Sequence, residues 1–249
     1  MTDQVVIADQ GAVRVIRFNR PEKKNALTSP MYAAITQALH EADDSAAIRC
    51  VVLTGTAGVF SAGADIGEFL ESAQSGGLRP KTVAFLHALA QTRKPLVAAV
   101  GGLAVGIGTT MLLHCDYVVA AESATFATPF TRLGILPEAG SSLLGPRRMG
   151  HARAFALLVM GRPLTATAAK EAGLVNEVVE ASAVEQTAMA AARDIAALPP
   201  GAVAQSRALL RGELDDVIKR IDTEAMLFRE RLQSDEARAA FTAFLSRRK

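Results

Sequence analysis

Two glycine-rich turns and one glutamate are the places in this 249-residue sequence where residue types and spacing could do chemistry. The first turn, Gly58-Val59-Phe60-Ser61-Ala62-Gly63-Ala64-Asp65-Ile66, follows the apolar run Cys50 to Leu53 and leads into a predicted helix over 67–71. The second, Gly101-Gly102-Leu103-Ala104-Val105-Gly106-Ile107-Gly108, follows Leu96 to Val100 and opens another helix. Small residues let a ligand approach the backbone closely, leaving N–H groups free to donate, and a helix start adds a field that favours negative charge. Either turn alone reads equally well as tight packing. At the same ends of two parallel strands in one sheet, the pair could converge on one anion. The glutamate, Glu138, stands among apolar and small residues in Gly134-Ile135-Leu136-Pro137-Glu138-Ala139-Gly140-Ser141-Ser142. Facing a pocket, it would lose water and gain proton affinity, as a general base requires. Facing solvent, it is a loop carboxylate or a helix N-terminal charge after Pro137.

Other chemistries find little support. There is no phosphate-loop lysine motif, and Gly140-Ser141-Ser142-Leu143-Leu144 lacks the second glycine of a nucleophile elbow. His40, His87, His114 and His151 are scattered singly and read as structural, so no metal site is expected. Cys50 and Cys115 both sit in apolar runs and read as buried thiols. The 27 Lys+Arg against 25 Asp+Glu leave a net charge of only +2, and 5% aromatic residues with no Trp leave few stacking surfaces, so nucleic acid is not an expected partner. No uninterrupted apolar segment approaches about 18 residues, and the N-terminus has no leader pattern. The expectation is a cytoplasmic protein that does not enter a membrane.

The elements that must position these residues are predicted as follows. Val5 to Ile7, Val13 to Phe18, Cys50 to Leu53, Leu96 to Val100 and Tyr117 to Ala120 have strand length and strand composition. Helical patterns lie between them, over Thr28 to Ala42, Val83 to Thr92 and Gly108 to His114. Strands separated by helices pair in parallel, so the fold class is α/β. Beyond Gly150 helices dominate, apart from a strand signal at Val175 to Val179: Ala183 to Leu198, Ala202 to Arg211, and one long stretch from Leu214 to Leu245. The long stretch carries an apolar stripe at Leu214, Val217, Ile218, Ile221, Ala225, Phe228 and Leu232, which suggests packing on a neighbouring subunit. The organisation expected is a core over 1–195 and a helical oligomerisation region over 196–249.

Five ordered segments carry a resemblance: Asn19-Arg20-Pro21-Glu22-Lys23-Lys24-Asn25-Ala26-Leu27, Phe60-Ser61-Ala62-Gly63-Ala64-Asp65, the glycine turn running on to Cys115-Asp116, Phe126-Ala127-Thr128-Pro129, and Leu136-Pro137-Glu138-Ala139-Gly140. Together they closely resemble the enoyl-CoA hydratase/isomerase (crotonase) superfamily from about residue 5 to the C-terminus. The resemblance implies a spiral of ββα units with a C-terminal helical trimerisation region, a homotrimer or hexamer, and an acyl-CoA thioester substrate with no cofactor beyond the CoA it carries. It also implies that the thioester carbonyl lies between the backbone N–H groups of Ala64 and Ile107. That agrees with the reading of the turns, since removing a proton beside a thioester places negative charge on its oxygen, and each pre-aimed amide is worth about 3 kcal/mol there.

The enolate needs a base, and the resemblance distinguishes two branches. Hydratases resemble one another in two glutamates, whose places are taken here by Thr110 and Phe130. Neither moves a proton at neutral pH. Thr128-Pro129-Phe130 with Pro137-Glu138-Ala139-Gly140-Ser141-Ser142 looks like the Δ3,Δ2-enoyl-CoA isomerase branch, which implies Glu138 as sole base and an apolar Phe130 that excludes water. Substrate contacts implied by position are Lys23 and Lys24 for CoA phosphates and the backbone of Ala62 to Ile66 beside the adenine, with Asp65 and Gly106 at the turns. Capping is the first expectation for Asp65, a solvated face for Glu68 and Glu122, and a structural role for Asp116. Arg147-Arg148 and the terminal Arg247-Arg248-Lys249 are open between phosphate contact and ordinary surface. The alternatives are hydration of a 2-enoyl-CoA or another reaction of the superfamily, and a non-catalytic acyl-CoA-binding scaffold.

Overall fold

Strands that are apolar on both faces must be covered on both sides, and this chain covers them by winding. The structure is a computed structural model that describes residues 3–68, 71 and 80–246. Its strands are β1 (Val5–Gln10), β2 (Val13–Phe18), β3 (Cys50–Thr54), β4 (Val59–Ser61), β5 (Leu96–Val100), β6 (Leu103–Val105), β7 (Tyr117–Ala121), β8 (Thr125–Ala127), β9 (Leu164–Thr165) and β10 (Glu177–Val179). They form two sheets, ordered β1-β2-β3-β5-β7-β10 and β4-β6-β8-β9. From β3 to β8, successive strands alternate between the sheets, so each turn of the spiral contributes one long strand to the first and one short strand to the second. Pairing is parallel except for the β1/β2 hairpin and the β8/β9 edge. This is the α/β spiral of ββα units expected from the sequence.

The helices are α1 (Ser29–Asp44), α2 (Pro80–Gln91), α3 (Ile107–Thr110), α4 (Ser141–Leu158), α5 (Ala166–Glu171), α6 (Val184–Ala197), α7 (Pro200–Arg211), α8 (Leu214–Leu232) and α9 (Asp235–Ser246). Thr28 caps α1 by accepting the Met31 N–H, and Pro30 fits its first turn, where a missing N–H costs nothing. Helix α6 packs on β3, β5 and β7. The predicted helix over 67–71 is helical at 66–68 and at 71, with its remainder outside the described residues, as are Arg247 to Lys249.

Several elements differ from the sequence reading, and three of them show the physical reasons. Strand β6 lies inside the second glycine turn, because three residues are too few to show alternation. Helix α4 was not anticipated: it contains Pro146 and breaks its helical geometry at Gly150 (φ 76°, ψ 159°), so it shows no clean apolar period. The long C-terminal stretch is two helices, divided at Gln233-Ser234, where the Ser234 hydroxyl caps α9 by accepting the Ala237 N–H at 3.2 Å. The stripe on α8 also faces inward. Val217, Ile221, Phe228 and Leu232 belong to the chain's own apolar core, which removes the unpartnered face as an argument for oligomerisation. Leu214 at the start of the stripe stays exposed, as do Leu198 and Leu227, and the most exposed leucines are Leu209 and Leu210 on α7. Helix α9 lies against the 131–134 turn, so closely that a Cβ on Gly134 would stand 2.7 Å from the Cα of Ala237. The C-terminal helices therefore cover the segment that leads to Glu138.

Candidate active site

The two glycine turns meet because the strands before them are neighbours. β4 pairs in parallel with β6, so the chain leaves both at the same end. The pairing that matters lies in the second sheet, between the short strands, while β3 and β5 pair in the first. Gly63 (φ 91°) packs directly on the backbone of the other turn, where a Cβ would come within 2.8 Å of the Val105 carbonyl oxygen. Gly106 takes φ 55° and ψ −123°, a backbone geometry open to glycine, and its N–H donates to Ala127 O at 2.8 Å.

This geometry leaves two amides unspent. Leu27 bridges Ala64 by donating to Gly63 O at 2.7 Å and accepting from Asp65 N at 2.9 Å, so the Ala64 N–H points away from Leu27. Ile107 begins α3, and the first N–H of a helix has no acceptor within it. Among the described residues neither the Ala64 nor the Ile107 N–H has an acceptor. Two adjacent free donors, one at a helix start, can hold an oxyanion.

Around Ala64 the chain is tied together. Asp65 caps the helix after it, accepting from Gly67 N at 3.0 Å and Glu68 N at 3.2 Å, and it pairs with Arg20 at 2.6 Å. The Arg20 guanidinium and these N–H groups outweigh partial burial and hold the Asp65 carboxyl below the usual range. Glu68 accepts the Ser29 N–H at 2.7 Å at the start of α1. The Asn25 side chain spans the Arg20, Thr56, Val59 and Phe60 backbones or side chains, and Ala62 N donates to Lys24 O at 2.8 Å. Lys23 and Lys24 are exposed beside this junction, while Ala62 and Ile66 are half-buried.

Glu138 is 8% exposed, and its Oε1 accepts the Thr110 hydroxyl at 2.6 Å. Thr110 lies on the same single turn of helix as Ile107, so the residue that meets the carboxyl is about 5 Å along the axis from the one that carries the free amide. Burial pushes the Glu138 carboxyl up to about 8; the Thr110 hydrogen bond opposes this and the charge of Glu224 adds to it. The turn after it is left-handed at Ala139 (φ 63°) and Gly140 (φ 69°). His114 holds that turn by donating Nε2–H to Ala139 O at 2.7 Å, and burial lowers its pKa to about 4, which keeps it neutral. Phe130 is buried.

Glu138 and His114 act oppositely on stability. Between pH 4.5 and 8 the folded chain holds a proton on Glu138 that the unfolded chain has lost, so stability falls as pH rises. Between pH 4 and 6.5 the unfolded chain protonates His114 while the folded chain does not, so stability rises with pH. The slopes offset one another from 4.5 to 6.5 and only the Glu138 fall remains from 6.5 to 8. Glu224, also raised by burial, acts in the same direction as Glu138. Denaturant melts should show a plateau near pH 5–6 and then a loss approaching about 1.4 kcal/mol per pH unit up to 8, absent in Glu138→Gln.

The remaining candidates take structural places. Asp116 joins Leu96 N at 2.8 Å to Arg207 at 2.8 Å; Arg148 donates to the Leu113 and Cys115 carbonyls; Arg147 pairs with Asp216 on the surface; and Glu122 is exposed. Cys50 and Cys115 are free, and burial pushes both thiols up to about 12, which leaves them inert. His87 faces Asp222, and His40 and His151 are exposed. No cluster of three potential metal ligands occurs among the described residues, and no described helix is long and apolar enough to cross a membrane. Sequence reasoning missed Glu224, whose neighbours Asp222-Thr223 and Ala225-Met226 make it look like an ordinary helix-face charge. It also missed the Thr110 contact, because it considered Thr110 only as an acid that is absent.

Residues 8–249 match the family model described as enoyl-CoA hydratase/isomerase. Enoyl-CoA delta isomerase 2 of Rattus norvegicus is 36% identical over 98% of this chain, and the chain spans 64% of that relative's length. A probable enoyl-CoA hydratase of Rhizobium meliloti is 32% identical over 99% of this chain and 96% of the relative. The crystal structure of an enoyl-CoA hydratase/isomerase from Pseudoalteromonas atlantica T6c superposes with a TM-score of 0.93 at 38% identity, covering 98% of each chain.

Proposed function

The chain belongs to the enoyl-CoA hydratase/isomerase family, and we propose that within it the protein is a Δ3,Δ2-enoyl-CoA isomerase with Glu138 as its only base. The observation that supports this reading is a buried carboxyl, raised to about 8, hydrogen-bonded to the helical turn whose first residue carries a free backbone amide. In the reaction, ionised Glu138 takes a proton from C2 of a 3-enoyl thioester, and the electron pair moves onto the carbonyl oxygen. The N–H groups of Ala64 and Ile107 hold that oxyanion. Glu138, now a neutral acid, returns the proton at C4 as the double bond settles between C2 and C3. No water is consumed, and the apolar Phe130 wall favours this. Lys23 and Lys24 meet CoA phosphates, and the backbone of Ala62 to Ile66 borders the adenine. The CoA is part of the substrate, no separate cofactor is needed, and the working form is a cytoplasmic homotrimer or hexamer.

Hydration would need a second group to activate water, and the positions of Thr110 and Phe130 supply a hydrogen-bond donor and a wall. The test is to incubate the protein separately with a 3-enoyl-CoA and a 2-enoyl-CoA and follow both products. The expected result is the conjugated 2-enoyl thioester from the first, with hydration of the second slower by about 100-fold or more. Rapid 3-hydroxyacyl-CoA formation identifies a hydratase instead. Saturable binding with no turnover of either identifies a scaffold.

A further inference from the structure

We propose that Glu224 is a positioning residue for Glu138, acting through the turn at 139–142 and through its own charge; this rests on the reading of Glu138 as the base. Glu224 lies on α8 and is 6% exposed. Its Oε2 accepts the Gly140 N–H at 2.6 Å and its Oε1 the Ser142 N–H at 2.9 Å. These are open N–H groups at the start of α4, where a carboxylate is favoured by the helix field. The cap residue of α4 is Gly140, which has no side chain to do this locally. A carboxylate from a distant helix takes that place and bridges the residues on either side of Ser141. With His114 holding the Ala139 carbonyl, the left-handed pair Ala139-Gly140 is fixed from two sides. That turn sets where the Glu138 side chain points.

The groups that face Glu138 among the described residues come from three elements. Thr110 on α3 donates a hydrogen bond that favours the ionised form. Tyr32 on α1 is buried near it, its hydroxyl pushed well up by burial and by Glu138, Glu68 and Asp65, so it stays neutral. Glu224 on α8 is the like charge that opposes ionisation of Glu138. Arg220, also on α8, donates to the Ser142 hydroxyl at 3.1 Å and offsets part of the Glu224 charge. His114, behind the turn, is neutral. Thr110 and Glu224 therefore pull the base in opposite directions, and the C-terminal helices take part in setting it.

Two variants separate charge from bridging. Glu224→Gln removes the charge and sets an amide donor against one N–H; Glu224→Asp keeps the charge but is too short to reach both N–H groups. The Glu138 titration is read on the intact protein by infrared difference spectra of the carboxyl stretch, assigned with Glu138→Gln, beside kcat and KM for isomerisation across pH. Glu224→Gln is expected to move the Glu138 titration, and with it the rising limb of kcat, down by about one pH unit. It should also lower kcat at pH 9 by about tenfold with KM nearly constant. Glu224→Asp should show the loss in kcat without the move of the limb. An unmoved titration in folded Glu224→Gln overturns the inference, whatever its activity. If Glu224→Gln does not fold, the aspartate variant decides, and wild-type kcat in it overturns the inference. A wild-type protein with no 3-enoyl-CoA turnover defeats the functional reading alone, since the infrared titration still tests whether Glu224 acts on Glu138.

Discussion

Glu138→Gln is expected to lower kcat for 3-enoyl-CoA isomerisation by about 10²–10⁴-fold, the range a positioned general base supplies. Stability should hardly suffer. With its carboxyl raised to about 8, Glu138 is protonated in most molecules at neutral pH, so a neutral amide of the same shape replaces a neutral acid. Thr110 can still donate to the amide oxygen. What disappears is the fraction of ionised carboxylate, about a tenth of molecules at pH 7, that does the work. The wild-type rate should therefore climb almost tenfold per pH unit below 8 and level above it, because a base acts only when deprotonated. A pH profile that is flat from 6 to 9, or a glutamine variant within threefold of wild type, would remove Glu138 from the chemistry.

That a glutamate in a turn can be read as a base from sequence depends on what surrounds it. The apolar and small residues from Gly134 to Ser142 left a pocket and solvent both open, the family resemblance favoured the pocket, and the structure buries Glu138. The long parallel strands were legible because Val, Leu and Ala dominate them. The second sheet was not, since β4, β6 and β8 have three residues each and no period to display. Its absence from the sequence reading displaced the argument about the turns onto β3 and β5, although the two turns do meet. Glu224 was illegible for a different reason. Its meaning comes from two N–H groups at the start of α4, and no local pattern on α8 announces a contact that distant. The stripe on α8 misled in the same way, because periodicity says that a face is buried without saying whose surface buries it.

Gly63→Ala should damage the site severely. A Cβ there would lie 2.8 Å from the Val105 carbonyl oxygen, a backbone atom that cannot swing aside, and φ of 91° is costly for any residue with a side chain. The two turns must separate, carrying the Ala64 and Ile107 amides away from a common point. Oxyanion donors act over a narrow range, about 2.7–3.1 Å, and losing one costs about 10²–10³-fold in kcat. The loss should fall on kcat more than on KM, because the thioester oxygen bears its full charge only as C2 gives up its proton. Backbone strain alone is separated by Gly212→Ala, at φ 70° with nothing within 4 Å of its Cβ and far from the turns in sequence, which should cost stability and leave kcat unchanged. If Gly63→Ala folds and keeps kcat within threefold of wild type, the charge is stabilised elsewhere and the two turns are packing. If it falls by two orders of magnitude while Glu138 keeps its titration near 8, the oxyanion and the base are separate devices on one short helix, and Ile107 and Thr110 are the residues through which α3 serves both.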